Sequence, residues 1–202
     1  MKTIVLASNN PGKINEFNQL LAEFGLQVIP QQEFNLPSVP ETGLSFVENA
    51  LIKARYAAQH TGLAALADDS GIEVDALQGA PGIYSARFAG ENASDAENNQ
   101  LLIKKLATTP PLQRTACYHC VIVFMRHATD PIPLICQGTW AGEIVLEARG
   151  TQGFGYDPYF YVPTHQCTAA ELPPEVKNQI SHRALAFQQF RQMWHQQYGK
   201  IS

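Results

Sequence analysis

"TIVLASNNPGKINEFNQLLAEFGLQVIP", residues 3 to 30, runs apolar, polar, periodic and apolar again, and it sets the fold class. "TIVLAS" reads as a buried strand and "NNPG" as a turn. "KINEFNQLLAEFG" then places Ile14, Phe17, Leu21 and Phe24 on one helical face, with Gly25 as the C-terminal cap. "LQVIP" is a second strand. Strand, helix, strand is the alternation of an α/β protein.

The pattern continues outward. "SFVENALIKARYAAQHTG" reads as a helix with an alanine-rich inner face ending at Gly62. "AALADDSG", residues 64 to 71, reads as a third strand that stops at Asp68, with the chain turning at Gly71 and "GIEVDAL" forming a separate strand. After the glycine-punctuated "GAPGIYSARFAG", "SDAENNQLLIKKLAT" is a helix capped by Ser94. "RTACYHCVIVFMRH" and "PIPLICQGTWAGEIVLEARG" are strand-like runs joined by "ATDP", an antiparallel hairpin composition. "TAAELPPEVKNQI" reads as helical, and Ser181 caps a closing helix carrying Leu185, Phe187, Phe190, Met193 and Trp194. The expectation is a single α/β domain over residues 1–202: a long, mixed, twisted sheet with flanking helices and two lobes around a central cleft.

Composition narrows the function classes. The chain has 202 residues, 45% of them hydrophobic, enough for a sizeable core. Charged residues make up only 16% and the net charge is −4, so no basic field exists to hold a nucleic-acid backbone. The start "MKTIVLASNN" is too short for a signal-peptide core or a membrane span, which points to a cytoplasmic protein with no membrane partner. Cys117 and Cys120 in "CYHC" form a C-x-x-C, yet on a strand positions i and i+3 face opposite sides. With Cys136 and Cys167 they are read as ordinary buried thiols in a reducing compartment.

Several stretches carry candidate chemistry. "SNNPGK", from Ser8 through Asn9, Asn10, Pro11 and Gly12 to Lys13, lies between the first strand and the first helix, where a helix N-terminus and a lysine suit a phosphate. It differs from a Walker A loop, since Ile14 stands where a serine or threonine would bind magnesium. "ETGLSFVENALIKAR" supplies Glu41, and Glu48, Asn49 and Lys53 on a helix, Lys53 sharing a face with Asn49. Asp68 and Asp69 have no basic residue near them in sequence and therefore call for a cation. Magnesium is usually held by one or two carboxylates, with phosphates and water filling its other positions, and Asp68, Asp69 and Glu41 are enough acid for that. Consecutive strand side chains point to opposite faces, so both aspartates need not reach one ion. "GFGYDPYF" groups Phe154, Gly155, Tyr156 and Asp157 into an aromatic shelf suited to a nucleobase. His182 and Arg183 begin a helix, where cations oppose the dipole; a ligand carbonyl would explain them, and Arg183, which only donates, would favour a 6-oxo purine over adenine.

"SNNPGKINEF", "ETGLSFVENALIKAR", "ADDSGIEVDALQGAPGIYSARFAG", "GFGYDPYF", "AAEL…EVKN" and "SHRALA" together resemble, in order and spacing, the noncanonical purine nucleoside triphosphate pyrophosphatases, also called inosine triphosphate or XTP/dITP diphosphatases and Ham1-like. The resemblance spans nearly the whole chain. It implies a Mg²⁺-dependent, homodimeric hydrolase that converts ITP, dITP or XTP to the monophosphate and pyrophosphate, removing deaminated purines from the nucleotide pool. Carried over by position, it implies that Ser8 to Lys13 and Lys53 hold phosphates. Asp69 becomes the metal ligand and general base, and Glu41 a second metal ligand. Ser70 touches the substrate, Phe154 to Asp157 form the base platform, and Lys177, His182 and Arg183 complete the pocket. Pro11 and the pair Pro173 and Pro174 depart from the pattern, the latter bearing on where Lys177 points. Two alternatives stay open: a nucleotide-binding regulator without turnover, which the adjacent aspartates disfavour, and a hydrolase of another phosphoester, where the aromatic shelf disfavours a sugar.

Overall fold

A computed structural model describes residues 2–198. Its elements run β1 (Lys2–Leu6), α1 (Pro11–Leu21), β2 (Leu26–Pro30), α2 (Phe46–Thr61), β3 (Ala64–Val74), α3 (Asp95–Leu106), β4 (Thr115–Met125), β5 (Leu134–Ile144), β6 (Phe160–Val162), β7 (Cys167–Thr168), α4 (Pro174–Ile180) and α5 (His182–Tyr198). The strands form one mixed sheet in the order β2-β1-β3-β4-β5-β6-β7. β1 lies parallel to β2, with Val5 opposite Ile29, and parallel to β3, with Val5 opposite Ala65. β6 runs antiparallel to both β5 and β7. Among the described residues no helix is long and apolar enough to cross a membrane.

The chain divides into two compact units, one comprising residues 1–69, 120–138 and 183–202, the other residues 70–119 and 139–182. In the first unit the two-residue period of the strands separates two apolar layers. Ile4, Leu6 and Leu66 join Cys120, Ile122 and Phe124 in a layer with Phe17 and Leu21 of α1 and Phe187 and Phe190 of α5. The intervening residues Val5, Ala65, Ala67, Val121 and Val123 pack with Ala50, Ala54, Ala57 and Ala58 of α2. Gly62 caps α2 as expected, in the left-handed conformation at φ 68°, whereas α1 ends earlier than its sequence suggests, at Leu21, and Gly25, at φ 60°, closes the 3₁₀ turn Ala22–Phe24 that follows it. In the second unit Ile72, Val74, Leu102, Tyr118, Trp140, Tyr156 and Phe160 form the core. There Ser94 and Glu97 make a reciprocal capping box at the start of α3.

The third strand is longer than its sequence suggests. The acids do not end it and Gly71 does not turn it; β3 continues through "DDSGIEV" as one strand of 11 residues. The reason is that both aspartates find cations in space, so the strand can stay buried where local composition reads as a turn.

Candidate active site

Strand alternation sends the two aspartates to different layers. Asp68 continues the side of Leu66, toward α1 and α5, and Asp69 continues the side of Ala65 and Ala67, toward α2. The Asp68 side chain is 0% exposed, and its Oδ2 lies 2.9 Å from Lys13 Nζ and 3.4 Å from an Arg183 guanidinium nitrogen. Arg183 also pairs with Glu16 of α1. Its cation is therefore answered from inside the protein, which corrects the expectation that a ligand carbonyl is needed to explain it. Burial pushes the Asp68 carboxyl up, but Lys13, Arg183 and Lys53 outweigh burial and hold it well below the usual carboxylate range.

Asp69 has another environment. Its Oδ1 receives Lys53 Nζ at 2.8 Å, and Asn49 donates to its Oδ2 at 3.4 Å. The same ammonium reaches Glu41 Oε1 at 3.0 Å. Here burial wins: it raises the Asp69 carboxyl above its ordinary range against the opposing pull of Lys53 and Lys13. Burial also disfavours the Lys53 ammonium, yet Asp69, Asp68 and Glu41 more than compensate and raise it. Burial and the surrounding cations thus shift two neighbouring carboxyls in opposite directions.

The cluster holds four carboxylates, Glu16, Glu41, Asp68 and Asp69, against three cations, Lys13, Lys53 and Arg183. Among the described residues no three His, Cys, Asp or Glu side chains gather into a ready metal cage. Glu41 and Asp69 share one partner and form a two-carboxylate seat, the protein contribution magnesium usually needs beside phosphates and water. Asp68 belongs elsewhere: its Oδ2 is committed to Lys13 and Arg183, so the structure separates it from the other two expected metal ligands.

The "SNNPGK" stretch is shorter as a loop than expected, because α1 starts at Pro11. Proline suits that first helical position, where its missing N–H costs nothing, so Pro11 is no disturbance. Asn10 caps the helix, its Oδ1 accepting from Lys13 N–H at 3.0 Å, and the Asn10 N–H donates to Ser8 Oγ at 3.2 Å. Asn9 is held by Gln31, which donates to its Oδ1, and by Ser38, to which its amide donates, both at 2.8 Å. With these backbone donors spent on capping, the Lys13 side chain is the principal positive charge of this stretch.

In the second unit the aromatic stretch is shaped by glycine. Gly153 sits at φ 75°, and a Cβ there would fall 2.0 Å from Asp157 Oδ2 and 3.0 Å from Lys177 Nζ. That closeness lets Asp157 Oδ2 accept from Phe154 N–H at 2.9 Å and pair with Lys177 Nζ at 2.6 Å. The ammonium of Lys177 also lies over the Phe154 ring, 5.3 Å from its centroid. Pro174 opens α4 at its first position and leaves Lys177 aimed at Asp157, so the paired prolines do not divert it. Tyr156 differs from the sequence reading. It is buried in the core and its hydroxyl donates to Ser85 O at 2.7 Å, so its ring is not exposed for stacking. His182 is buried with its ring stacked on Tyr118 at 4.6 Å and 8°. Ser70 continues β3 immediately after Asp69.

Sequence reasoning missed Glu16, Asp95 and Asn99. Glu16 follows Lys13 by three residues, a same-face spacing that could have linked them. Asp95 Oδ2 accepts from Gly155 N–H at 2.8 Å and Asn99 donates to Gly155 O at 2.9 Å, so α3 grips the aromatic stretch with two residues at i and i+4. Of the four cysteines, Cys120 and Cys136 are buried as read while Cys117 and Cys167 are half-buried, and burial pushes the Cys120 thiol up to about 12.

The chain is similar to known proteins over nearly its whole length. A model of the Ham1 family matches residues 4–193. A protein of Vibrio vulnificus strain YJ016 named dITP/XTP pyrophosphatase is 58% identical over 189 residues, covering 94% of each chain. One of the same name from Coxiella burnetii is 55% identical over 189 residues, again 94% of each chain. The solved structure of a HAM1 protein from Coxiella burnetii superposes with a TM-score of 0.89 at 53% identity, covering 97% of this chain and 100% of that one. The Staphylococcus aureus Ham1 protein gives 0.85 at 43% identity, covering 96% and 99%. With a family model over nearly its full length and relatives at this identity, the chain belongs to the Ham1 family.

Proposed function

We propose that this Ham1-family hydrolase, a nucleoside triphosphate pyrophosphatase, cleaves noncanonical purine nucleoside triphosphates, ITP, dITP and XTP, between the α and β phosphorus atoms, releasing the monophosphate and pyrophosphate. The observation that carries the reading is the opposite tuning of Asp68 and Asp69 beside Lys13 and Lys53. Asp69, whose carboxylate burial makes more basic, accepts the proton of the attacking water. Lys13 and Lys53 neutralise the triphosphate and the leaving pyrophosphate, with Ser8 to Gly12 and Ser70 lining that end. Asp68 stays anionic and, through Arg183 and Lys13, keeps these cations placed. Mg²⁺ held by Glu41 and Asp69 would supply further charge neutralisation on the phosphate oxygens.

For the base, Phe154 to Asp157 form the platform, with Lys177 and His182 beside it. Lys177 only donates hydrogen bonds, so it suits the 6-oxo acceptor of hypoxanthine or xanthine and meets no acceptor in the 6-amino group of adenine. Arg183, the first choice for that role from sequence, is paired with Glu16 and Asp68 as Lys177 is with Asp157, so either cation would have to share or exchange its partner to meet the base. The enzyme acts as a cytoplasmic homodimer, a state that sizing in solution tests. Initial rates of pyrophosphate release from ITP, XTP, dITP, GTP and ATP, each with and without Mg²⁺, test the function. Hydrolysis of ATP as fast as ITP, or release of orthophosphate, overturns it.

A further inference from the structure

The Lys53 ammonium lies 3.0 Å from a Glu41 oxygen and 2.8 Å from an Asp69 oxygen, bridging the two carboxylates assigned above to a divalent cation. We infer that Lys53 and the divalent cation are alternative occupants of one seat: the ammonium bridges Glu41 and Asp69 until a divalent ion takes these carboxylates, and Lys53 then transfers to the triphosphate. The inference rests on the metal reading of Glu41 and Asp69 in the proposed function.

Three features of the chain carry it. The seat is built rather than accidental. Asn49 donates to Asp69 Oδ2 and accepts the Gly43 N–H at 2.8 Å, tying the segment that bears Glu41 to α2. Gly43 packs so closely that a Cβ there would lie 2.5 Å from Glu48 Cβ and 2.7 Å from Asn49 Oδ1. Second, the charges are mismatched. The bridging ammonium carries one charge against the two of Glu41 and Asp69, whereas a divalent ion at the same place would match both. Third, lysine suits an exchangeable role, since its ammonium is a compact point charge on a flexible four-carbon stem and can change partners by side-chain rotation alone. Only 14% of the Lys53 side chain is exposed, so the bridging amine is shielded while it holds the seat.

Calorimetric titration with Mg²⁺ alone, without nucleotide, tests the exchange. Lys53→Gln removes the competing charge and should raise the affinity for Mg²⁺ by at least about tenfold, the order of one charge interaction at a partly solvated site. Lys53→Arg keeps the cation and should stay near the wild-type value. The unmodified chain gives a second readout independent of whether Lys53→Gln folds. Acylation of Lys53 by an amine-reactive ester, read by peptide mass spectrometry, should rise several-fold at saturating Mg²⁺, because a protonated, ion-paired amine is a poor nucleophile. Unchanged acylation at saturating Mg²⁺, or equal Mg²⁺ affinity of Lys53→Gln and wild type, overturns the inference. ITP hydrolysis by the wild type in Mg²⁺ and in EDTA separates the two levels. Activity that needs Mg²⁺ while both binding readouts fail defeats the exchange alone, and activity indifferent to Mg²⁺ defeats the metal reading and the exchange with it.

Discussion

Asp68 and Asp69 are adjacent in sequence and chemically identical, yet the two sides of β3 make them different residues. On the α1 and α5 side the carboxylate is wholly buried and gripped by two cations; on the α2 side it shares one lysine with Glu41. Burial acts upward on both, and the count and closeness of cations decides which acid yields. Two carboxyls of one dipeptide therefore acquire different surroundings and opposite shifts because strand alternation sends them to different layers.

The largest effect expected from this contrast is on turnover. Asp69→Asn keeps the size and loses the proton acceptor, so kcat should fall by about 10²–10⁴ with the fold intact. A variant within a few-fold of wild type in pyrophosphate release would remove Asp69 from the chemistry. Asp68→Asn should show the reverse emphasis. It strands the buried Arg183 and Lys13 with too little negative charge, and breaking one partner of a buried ion network costs about 3–5 kcal/mol. Denaturant unfolding reads that cost, and Arg183→Met added to Asp68→Asn should recover part of it. If Asp68→Asn unfolds at the wild-type midpoint, the anchoring role is wrong.

Glu16→Gln sharpens the contrast at smaller scale. Glu16 shares Arg183 with Asp68, but its side chain is 16% exposed against 0%, so water can cover part of the loss. We expect about 1–3 kcal/mol, the cost of weakening a hydrogen-bonded charge, clearly less than for Asp68→Asn. Equal losses for the two variants would mean that the exposure difference is irrelevant to the network.

The legible and illegible parts of this fold divide along the same line as the two aspartates. The first helix, the alanine face of α2 and its Gly62 cap follow from periodicity and cap chemistry within one window of sequence, and the structure has them, although the helix gives way to a 3₁₀ turn before Gly25. The two aspartates were legible as a site because paired acids without neighbouring bases are conspicuous. Their partners were not. Arg183 stands 115 residues from Asp68, and the ion pairs that let β3 run on past Gly71 are invisible to local composition. Tyr156 shows the same limit: an aromatic beside glycines reads as an exposed shelf until Ser85, 71 residues away, takes its hydroxyl. Glu16 looks like any helix-surface charge until Arg183 is brought against it.

The smallest expected effect, and the one that separates the two acids most directly, is the pH dependence of stability without divalent ions. Asp68 has a folded-state pKa below its unfolded value of about 3.9. Its stabilisation is therefore complete above that pH and is lost as pH falls toward the lower folded value. Asp69 is raised, so its contribution has the opposite sign: it is complete below about 3.9 and lost as pH rises through the higher folded value. Lowering the pH from 7 should first add stability as Asp69 takes its proton, then remove it as Asp68 does. In Asp69→Asn the early gain disappears while the acid loss stays. In Asp68→Asn the acid loss shrinks and the early gain remains. Urea unfolding free energies collected from neutral pH down into the acid range below the ordinary carboxylate pKa distinguish these shapes. Identical pH profiles for the two variants would show that the protein does not tell the two carboxyls apart, and the sorting by strand alternation would lose its energetic meaning.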